Sequence, residues 1–482
     1  MPKTSSPGAA ARDRALAVLL ACHDGQRFSH DLLEEMQQAE PLGDADAALA
    51  AELVLGVLRH RLTAEHLAAR CYRGRWAGLP AGLRLIMALG VYQLCWLERV
   101  PDHAAVDQAV RRAHRHGRHA AATVNAILRK VAAERGPLTD QPDRPDPRRW
   151  LAVEPGRGRM FSENIFPDPA RRPLEHLIAA TSHPAWLVER WHRRFKPTRA
   201  RQVCDAGQRR PPLVLRPNRL RITPAELVER LQRRGHEPIR VPDGDAILLR
   251  PPAAVGDVPE IAEGLCQPQD STAQAVIRMA APRPGEFVLD LCAGSGTKTT
   301  HAAEWMDNRG LVLATDPEDR RLERIPAAAA RQGITIIETV PFRELDERLA
   351  EIGRHPDLIL VDVPCTNTGV LARRPEARYR ASQKALAGLT AVQREILRRA
   401  ESLAGPRTRV AYSTCSLEAE ENEEQVQWFC TTGRGGVDSP AGPWGVVRQA
   451  FTLPDADRDG GFVAVLARAA GPADSPGRPL AT

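Results

Sequence analysis

Two cysteines fifty residues apart carry the most chemical information in this 482-residue chain. Cys365 lies in "LILVDVPCTNTGV" and Cys415 in "RVAYSTCSLEAEEN". Each follows a short apolar run, Leu358 to Val361 and Val410 to Tyr412, that reads as a buried parallel strand. Open α/β sheets bind ligands outside the carboxyl ends of their strands, so both thiols are expected to face one crevice. A third strand end arrives with "EFVLDLCAGSGTKTTHAAE", where Gly294 and Gly296 let backbone approach a ligand at a strand-to-helix turn. Two thiols and a nucleotide-type loop in one crevice point to covalent chemistry with a bound cofactor.

Two standard readings of that loop fail. A P-loop needs G-x-x-x-x-G-K-[ST], but Thr297 precedes Lys298; a dinucleotide fingerprint needs a third glycine where Thr299 stands. What remains is a strand ending at Asp290, the turn Cys292, Ala293, Gly294, Ser295, Gly296, Thr297 and Lys298, and an acid, Asp316, ending the next strand. An acidic side chain about 20 residues downstream of such a turn commonly holds ribose hydroxyls. The loop suits a nucleoside-bearing ligand without a pyrophosphate, and S-adenosylmethionine fits that description. A nicotinamide-dependent dehydrogenase is disfavoured by the missing glycine.

With that cofactor, paired thiols suggest methylation at C5 of a pyrimidine. That carbon is a poor nucleophile until a thiolate adds at C6 and makes C5 enamine-like. Protonating or hydrogen-bonding N3 stabilises the charge that develops, and Asp362 in "VDVPC" is placed for this. A base must then take the C5 proton so that β-elimination can free the enzyme. A lone strand-end cysteine is more often a packing residue. Two of them, each with its own polar loop and one beside an acid, favour the chemical reading.

The formal charge of +7 favours an anionic partner, RNA or DNA foremost. Only five of the 67 basic residues are lysine, a bias toward arginine that dilutes the charge signal and makes Lys298, inside the glycine turn, less incidental. No apolar stretch approaches the roughly 20 residues of a membrane span. The N-terminal "MPKTSSPGAAARDRALAVLL" lacks a clean signal peptide, so the protein is expected to be cytoplasmic. The nine cysteines include no CxxC, so neither a zinc site nor a disulfide framework is expected; Cys22, Cys71, Cys95, Cys204, Cys266 and Cys430 read as packing thiols. A monomer is the default expectation.

The elements that must position this chemistry fall into several segments. Residues 1–136 read as all helix, with apolar residues at three- and four-residue spacing. They include a cationic run, Arg111, Arg112, His114, Arg115, His116, Arg118 and His119, that is either a solvated helix end or a phosphate-contacting patch. Residues 137–175 are rich in proline, glycine and charge and read as an irregular linker. A small α/β unit follows over 176–263, with Thr223 and Pro224 in capping position for one of its helices. Over 264–470 five β-rich runs alternate with helical stretches, which argues for a doubly wound, mostly parallel sheet. The tail, 471–482, is expected to be disordered.

These residues resemble the RsmB (Sun) family of bacterial ribosomal RNA 5-methylcytosine methyltransferases, within the wider Nol1/Nop2/Sun group. "AAELVLGVLRHR", "LGVYQLCWLERVPDHAAVDQAV" and "TVNAILRK" are similar to the NusB RNA-binding fold, and "PLVLRPNRLRITPAELVERLQRRG" to the family's small substrate-recognition domain. "CQPQDSTAQAV", "DLCAGSGTKT", "DVPCTNTGVLARRPEARYR", "YSTCSLEAEENE" and "DGGFVAVLAR" look like the family's catalytic motifs and closing strand.

The resemblance implies a three-part protein: an all-α NusB-like domain, a small α/β domain and a Rossmann-like methyltransferase domain that acts on a cytosine of 16S ribosomal RNA. It implies that Cys415 is the nucleophile, that Cys365 helps release product, and that the cofactor touches Cys292 to Lys298, Asp316 and the region of Asp362. The residues alone leave open which thiol attacks. Transfer RNA or another ribosomal site, and a non-catalytic NusB-like assembly factor, are the rival readings; a factor of that kind needs neither thiol.

Two departures from the family pattern stand out. Where the family usually has "CAAPGGKT", Gly294, Ser295 and Thr297 replace Ala, Pro and Gly. A proline missing from a turn loosens it by about 0.5–1 kcal/mol, so weaker cofactor binding on the same fold is expected. After the third strand, where the family has an aspartate to hold the adenine amino group, Phe342 and Arg343 stand at the expected place and Asp346 several residues later, so the adenine contact stays open, with Arg343 a candidate cofactor residue.

Overall fold

The computed structural model describes residues 8–23, 27–242, 244–250, 253–432 and 442–468. The tail read from 471 onward lies outside them. The chain forms two compact units: residues up to Arg209 together with Leu371–Ala381, and Arg210–Val370 together with the chain from Ser382 onward.

The first unit is built from α1 (Ala9–His23), α2 (Ser29–Ala39), α3 (Asp44–Arg70), α4 (Ala81–Trp96), α5 (Asp102–Ala113), α6 (Arg118–Glu134), α7 (Pro173–Thr181) and α8 (Ala185–Gln208). Helix α4 is apolar on nearly every side and is buried from Leu85 to Trp96, as a central helix must be. Its approach to α3 is closer than a side chain allows: a Cβ on Gly56 would lie 2.0 Å from the Tyr92 ring.

The stretch read as an irregular linker contains a sheet. Strands β1 (Arg135–Asp140), β2 (Trp150–Glu154) and β3 (Arg157–Phe161) pair antiparallel in the order β1-β3-β2. The sheet is tied to the helices by Arg159, buried, whose guanidinium donates to the carbonyls of Cys95 (2.8 Å) and Gly136 (3.1 Å). Residues 176–209, grouped by sequence with the small α/β unit, pack here too: Thr63 donates to the carbonyl of Ala179 and the Ser182 hydroxyl accepts from the Leu62 amide.

The excursion Leu371–Ala381 completes this unit. Arg378 is 0% exposed and donates to the carbonyls of Arg59 (3.0 Å), Ser182 (3.0 Å) and Gly207 (2.8 Å). Glu376 accepts from both the amide and the hydroxyl of Ser29, and Tyr379 donates to the carbonyl of Leu58 at 2.7 Å. One guanidinium thus joins carbonyls from three segments, that of Arg59 shared with the Gln208 side chain.

The second unit holds two sheets. The smaller one, β5-β6-β4-β7, is antiparallel and consists of β4 (Leu213–Pro217), β5 (Glu237–Arg240), β6 (Ile247–Arg250) and β7 (Cys266–Pro268). Its helix α9 (Pro224–Arg233) starts on a capping box in which Thr223 and Glu226 satisfy each other's amides, as the sequence signals.

The larger sheet runs β10-β9-β8-β11-β12-β14-β13, with β8 (Phe287–Asp290), β9 (Leu311–Ala314), β10 (Ile337–Thr339), β11 (Leu358–Asp362), β12 (Arg409–Thr414), β13 (Trp444–Thr452) and β14 (Gly461–Arg468). The first five in that order are parallel; β14 and β13 close the sheet antiparallel. Ile359 and Val361 face one layer of helices while Leu358 and Leu360 face the other, so β11 is apolar up to Asp362. Chain order reverses between β8 and β11, the switch point at which such sheets bind ligands. Among the described residues no helix is long and apolar enough to cross a membrane.

Replacing Arg378 with methionine removes the donor shared by three carbonyls and should cost the helical unit about 3 kcal/mol. Urea unfolding of the full chain checks this; a change below about 0.5 kcal/mol would show that the carbonyls find other partners.

Candidate active site

The in-register pairing of β11 with β12 sets Asp362 opposite Ser413. The chain beyond each strand then carries a cysteine, and the two loops fold toward one another. Cys365 Sγ and Cys415 Sγ are 3.2 Å apart, as free thiols. Cys415 also donates to the side-chain oxygen of Asn367 at 3.1 Å. Asn367 adopts a left-handed backbone (φ 58°) and returns its amide nitrogen to the carbonyl of Cys365. Gly369 donates to the carbonyl of Cys415, and a Cβ there would meet the backbone of Gly460 at 2.5 Å.

Behind the thiols lies a buried acid that the sequence reading missed. Glu421 accepts from the amide of Thr366 (2.9 Å), from the Thr366 hydroxyl and from Gln393 (3.0 Å). The hydroxyls of Thr366 and Thr368 in turn meet that of Ser416 at 3.1 and 3.3 Å. The two cysteine loops are therefore stitched together by side chains one residue beyond each thiol.

Lys298 reaches across from the glycine turn. Its ammonium donates to Asp362 Oδ2 at 2.6 Å, and Ser413 donates to Oδ1 at 2.6 Å. Burial works against the charge on Lys298, but Asp362 outweighs it and holds the lysine above its ordinary value. Both Asp362 oxygens thus accept, and the proton of the pair resides on Lys298. Ser413 is legible in hindsight, on β12 two residues before Cys415.

The loop between β8 and helix Thr297–Trp305 has Gly294 and Gly296 at φ 54° and 83°. A Cβ on Gly296 would strike Ile325 at 2.8 Å, whereas one on Gly294 would meet nothing within 4 Å. The turn therefore packs at Gly296 and opens at Gly294. Asp316, buried just past β9, accepts from the amides of Gly294 (2.9 Å) and Glu318 (2.9 Å). A carboxylate has about four lone-pair sites, so two remain for a ribose diol. At the end of β8, burial pushes Asp290 up to about 7, against the hydrogen bond it accepts from Thr299. Lys298, spent on Asp362, is not poised over a phosphate. The residues fit S-adenosylmethionine: an open glycine turn, a diol acceptor and no phosphate cradle.

Of the site residues read from the sequence, Cys292 to Lys298, Asp316, Asp362, Cys365 and Cys415 converge on these strand ends. Arg343 follows β10, the parallel neighbour of β9, and its side chain turns outward beside Asp319. It lies on the turn Phe342–Glu344, is 71% exposed, and pairs with Asp319 (3.1 Å) and Glu344 (2.9 Å). The cationic run of the helical unit divides as well. Arg112 is buried and donates to the carbonyl of Ala9 and to Asp13, which makes it structural, while His114, Arg115, His116, Arg118 and His119 are exposed.

Three family models match in chain order: the NusB family over residues 9–133, the ferredoxin-like domain of RsmF/B-like methyltransferases over 183–256, and 16S rRNA methyltransferase RsmB/F over 277–436. A probable ribosomal RNA small subunit methyltransferase B from Bacillus subtilis (strain 168) is 31% identical over 437 residues, covering 89% of each chain. The chain belongs to this family. A ribosomal RNA small subunit methyltransferase B from Klebsiella pneumoniae (strain 342) is also 31% identical, over 86% of this chain and 88% of its own.

Among solved structures, PH0851 superposes with a TM-score of 0.70 at 21% identity, over 96% of this chain and 99% of that one. NSun6 from Pyrococcus horikoshii with SFG gives 0.51 at 18%, over 59% of this chain and 98% of that one. Both likenesses are of fold. Family and fold are those of S-adenosylmethionine-dependent methyltransferases.

The hydrogen bond with Cys415, then burial, holds the Cys365 thiol well above its ordinary value. Because the thiolate is the reactive form, Cys365 stays protonated at neutral pH and gains reactivity only as pH rises. Its alkylation by iodoacetamide, followed by peptide mass spectrometry, should climb about tenfold per pH unit between about pH 7 and 9 without a plateau. Levelling off near pH 8 would contradict that environment.

Proposed function

We propose that this protein methylates C5 of a cytosine in 16S ribosomal RNA through a covalent cysteine–C6 adduct. The observation that carries the reading is the pair of thiols 3.2 Å apart beside the Lys298–Asp362 pair. Neither a packing role nor simple cofactor binding calls for two thiols beside a half-buried ion pair.

In this reading the Cys415 sulfur adds to C6, and the electron pair displaced from the C5–C6 bond makes C5 nucleophilic. Cys415 is the more accessible thiol and lines one cavity with Lys298 and Asp362, while Cys365 is buried behind it, which supports the assignment of attack to Cys415 that the family resemblance implies. Asp362 offers an acceptor to the base's exocyclic amine, and a proton for N3 comes through its pair with Lys298 rather than from a free carboxylic acid. S-adenosylmethionine, held by Cys292 to Lys298 and Asp316, supplies the electrophilic methyl group. Once C5 is methylated, a base takes the C5 proton, the C5–H electron pair re-forms the C5–C6 double bond, the C6–S bond breaks, and Cys415 leaves as thiolate with the Cys365 thiol within hydrogen-bond reach of the departing sulfur. The exposed histidines and arginines from His114 to His119 supply phosphate contacts for the RNA.

Bisulfite sequencing of ribosomal RNA from cells with and without the gene tests the reaction. One cytosine should lose protection in the deletion strain and in a Cys415→Ala strain alike. With purified protein, Cys415→Ala should abolish covalent RNA adducts while Cys365→Ala accumulates them. The reverse pattern would exchange the roles of the two thiols, and unchanged ribosomal RNA would redirect the search to transfer RNA.

A further inference from the structure

An arginine of the small sheet grips the helix that carries the glycine turn. Arg216 lies on β4, opposite Gln267 of β7, and is 2% exposed. Its guanidinium donates to Gln269 (2.6 Å), to the carbonyl of Thr297 (3.0 Å), to the Thr300 hydroxyl (3.2 Å), to Glu304 (2.6 Å) and to Gln332 (3.2 Å). Thr297, Thr300 and Glu304 recur at helical spacing and mark one face of helix Thr297–Trp305. That helix begins one residue before Lys298, and Thr300 passes the contact on by donating to the carbonyl of Gly296 at 3.0 Å. Two neighbours of Arg216 strengthen the grip. Arg219 stacks on Trp305 at the far end of the helix (4.2 Å), and Asn218 donates to the carbonyls of Gly264 and Gln332.

The energetics argue that this arrangement does more than hold the unit together. Taking a guanidinium and a carboxylate out of water is costly, and apolar side chains of similar volume would often stabilise as well or better. What an apolar pair cannot supply is direction: the two terminal nitrogens of a planar guanidinium, aimed at several acceptors, fix the rotation and height of the helix over the sheet. On the far side of the same turn, Lys298 must meet Asp362 at 2.6 Å and the Gly294 amide must meet Asp316 at 2.9 Å.

We propose that Arg216 is a positioning residue for cofactor binding: through Thr297, Thr300 and Glu304, the small domain sets the glycine turn and Lys298 against Asp316 and Asp362. The inference rests on the reading of that turn as the cofactor site.

The test compares wild type with Arg216→Lys, Arg216→Met and the apolar pair Arg216→Met/Glu304→Leu in the full chain. Thermal unfolding is measured together with S-adenosylhomocysteine affinity by calorimetry. Arg216→Met should lower both. The double variant should recover the melting temperature while its affinity stays about tenfold or more below wild type. Arg216→Lys, which keeps the charge and loses the fork, should melt near wild type and still bind more weakly.

Affinity returning together with melting temperature in the double variant, or wild-type affinity in Arg216→Lys, would make Arg216 structural only and overturn the proposal. The Arg216→Lys comparison decides the matter if the methionine variants do not fold. Wild type failing to bind S-adenosylhomocysteine would remove the cofactor reading and this inference with it; wild type binding while all variants bind equally would remove this inference alone.

Discussion

Parallel pairing of β11 with β12 in one register is the constraint on which the site depends. With Asp362 opposite Ser413, the two strands end level, and their loops must rise side by side. The thiols, the carboxylate and the serine hydroxyl are then neighbours without any of them being strained into place. A slip of one residue would turn Val361 and Tyr412 out of their helical layer and separate the two cysteines in the same stroke. The register is therefore enforced by the core, whose apolar area far exceeds anything the polar site contributes. Burial of β11 on both faces makes the geometry of the thiols a by-product of hydrophobic packing.

Above that frame the polar groups hold each other. Glu421 collects donors from the Cys365 loop and from Gln393, Asp362 is gripped from the turn and from β12, and Asp316 holds the turn from below. Buried polar groups of this kind are costly when one partner is lost, so each loop has essentially one arrangement that satisfies it. Rigidity of the site follows from hydrogen-bond accounting as much as from packing.

The parts of this molecule that were legible in the sequence are those with a strong local period. The five parallel strands, α9 with its Thr223 cap, and the cysteine motifs fall where the patterns put them, because each is apolar enough to declare its burial. The sheet β1–β3 is hidden because its strands are short, rich in arginine and glycine, and bury little beyond Leu151, Gly158, Arg159 and Phe161. The run that opens α8 reads as helix, but nothing local tells which neighbour covers its apolar face, and α7 begins inside the stretch read as linker. Charge was the least informative signal. Arg112 and Arg343 look alike in sequence, yet one is a core residue and the other a surface ion pair. Glu421 was masked by the acidic residues around it, since only tertiary structure distinguishes the one that turns inward.

The excursion Leu371–Ala381 has a consequence for the order of events at the ribosome. Translation delivers residues up to Arg209 long before Arg378, so the nascent helical unit waits through more than one hundred and fifty residues with the carbonyls of Arg59, Ser182 and Gly207 lacking their guanidinium. The last strut of the first-made unit is thus encoded inside the gene segment of the second. A chain interrupted before residue 371 leaves behind a helical unit with its keystone missing, and maturation of the amino-terminal half becomes a readout of how far synthesis of the catalytic half has progressed.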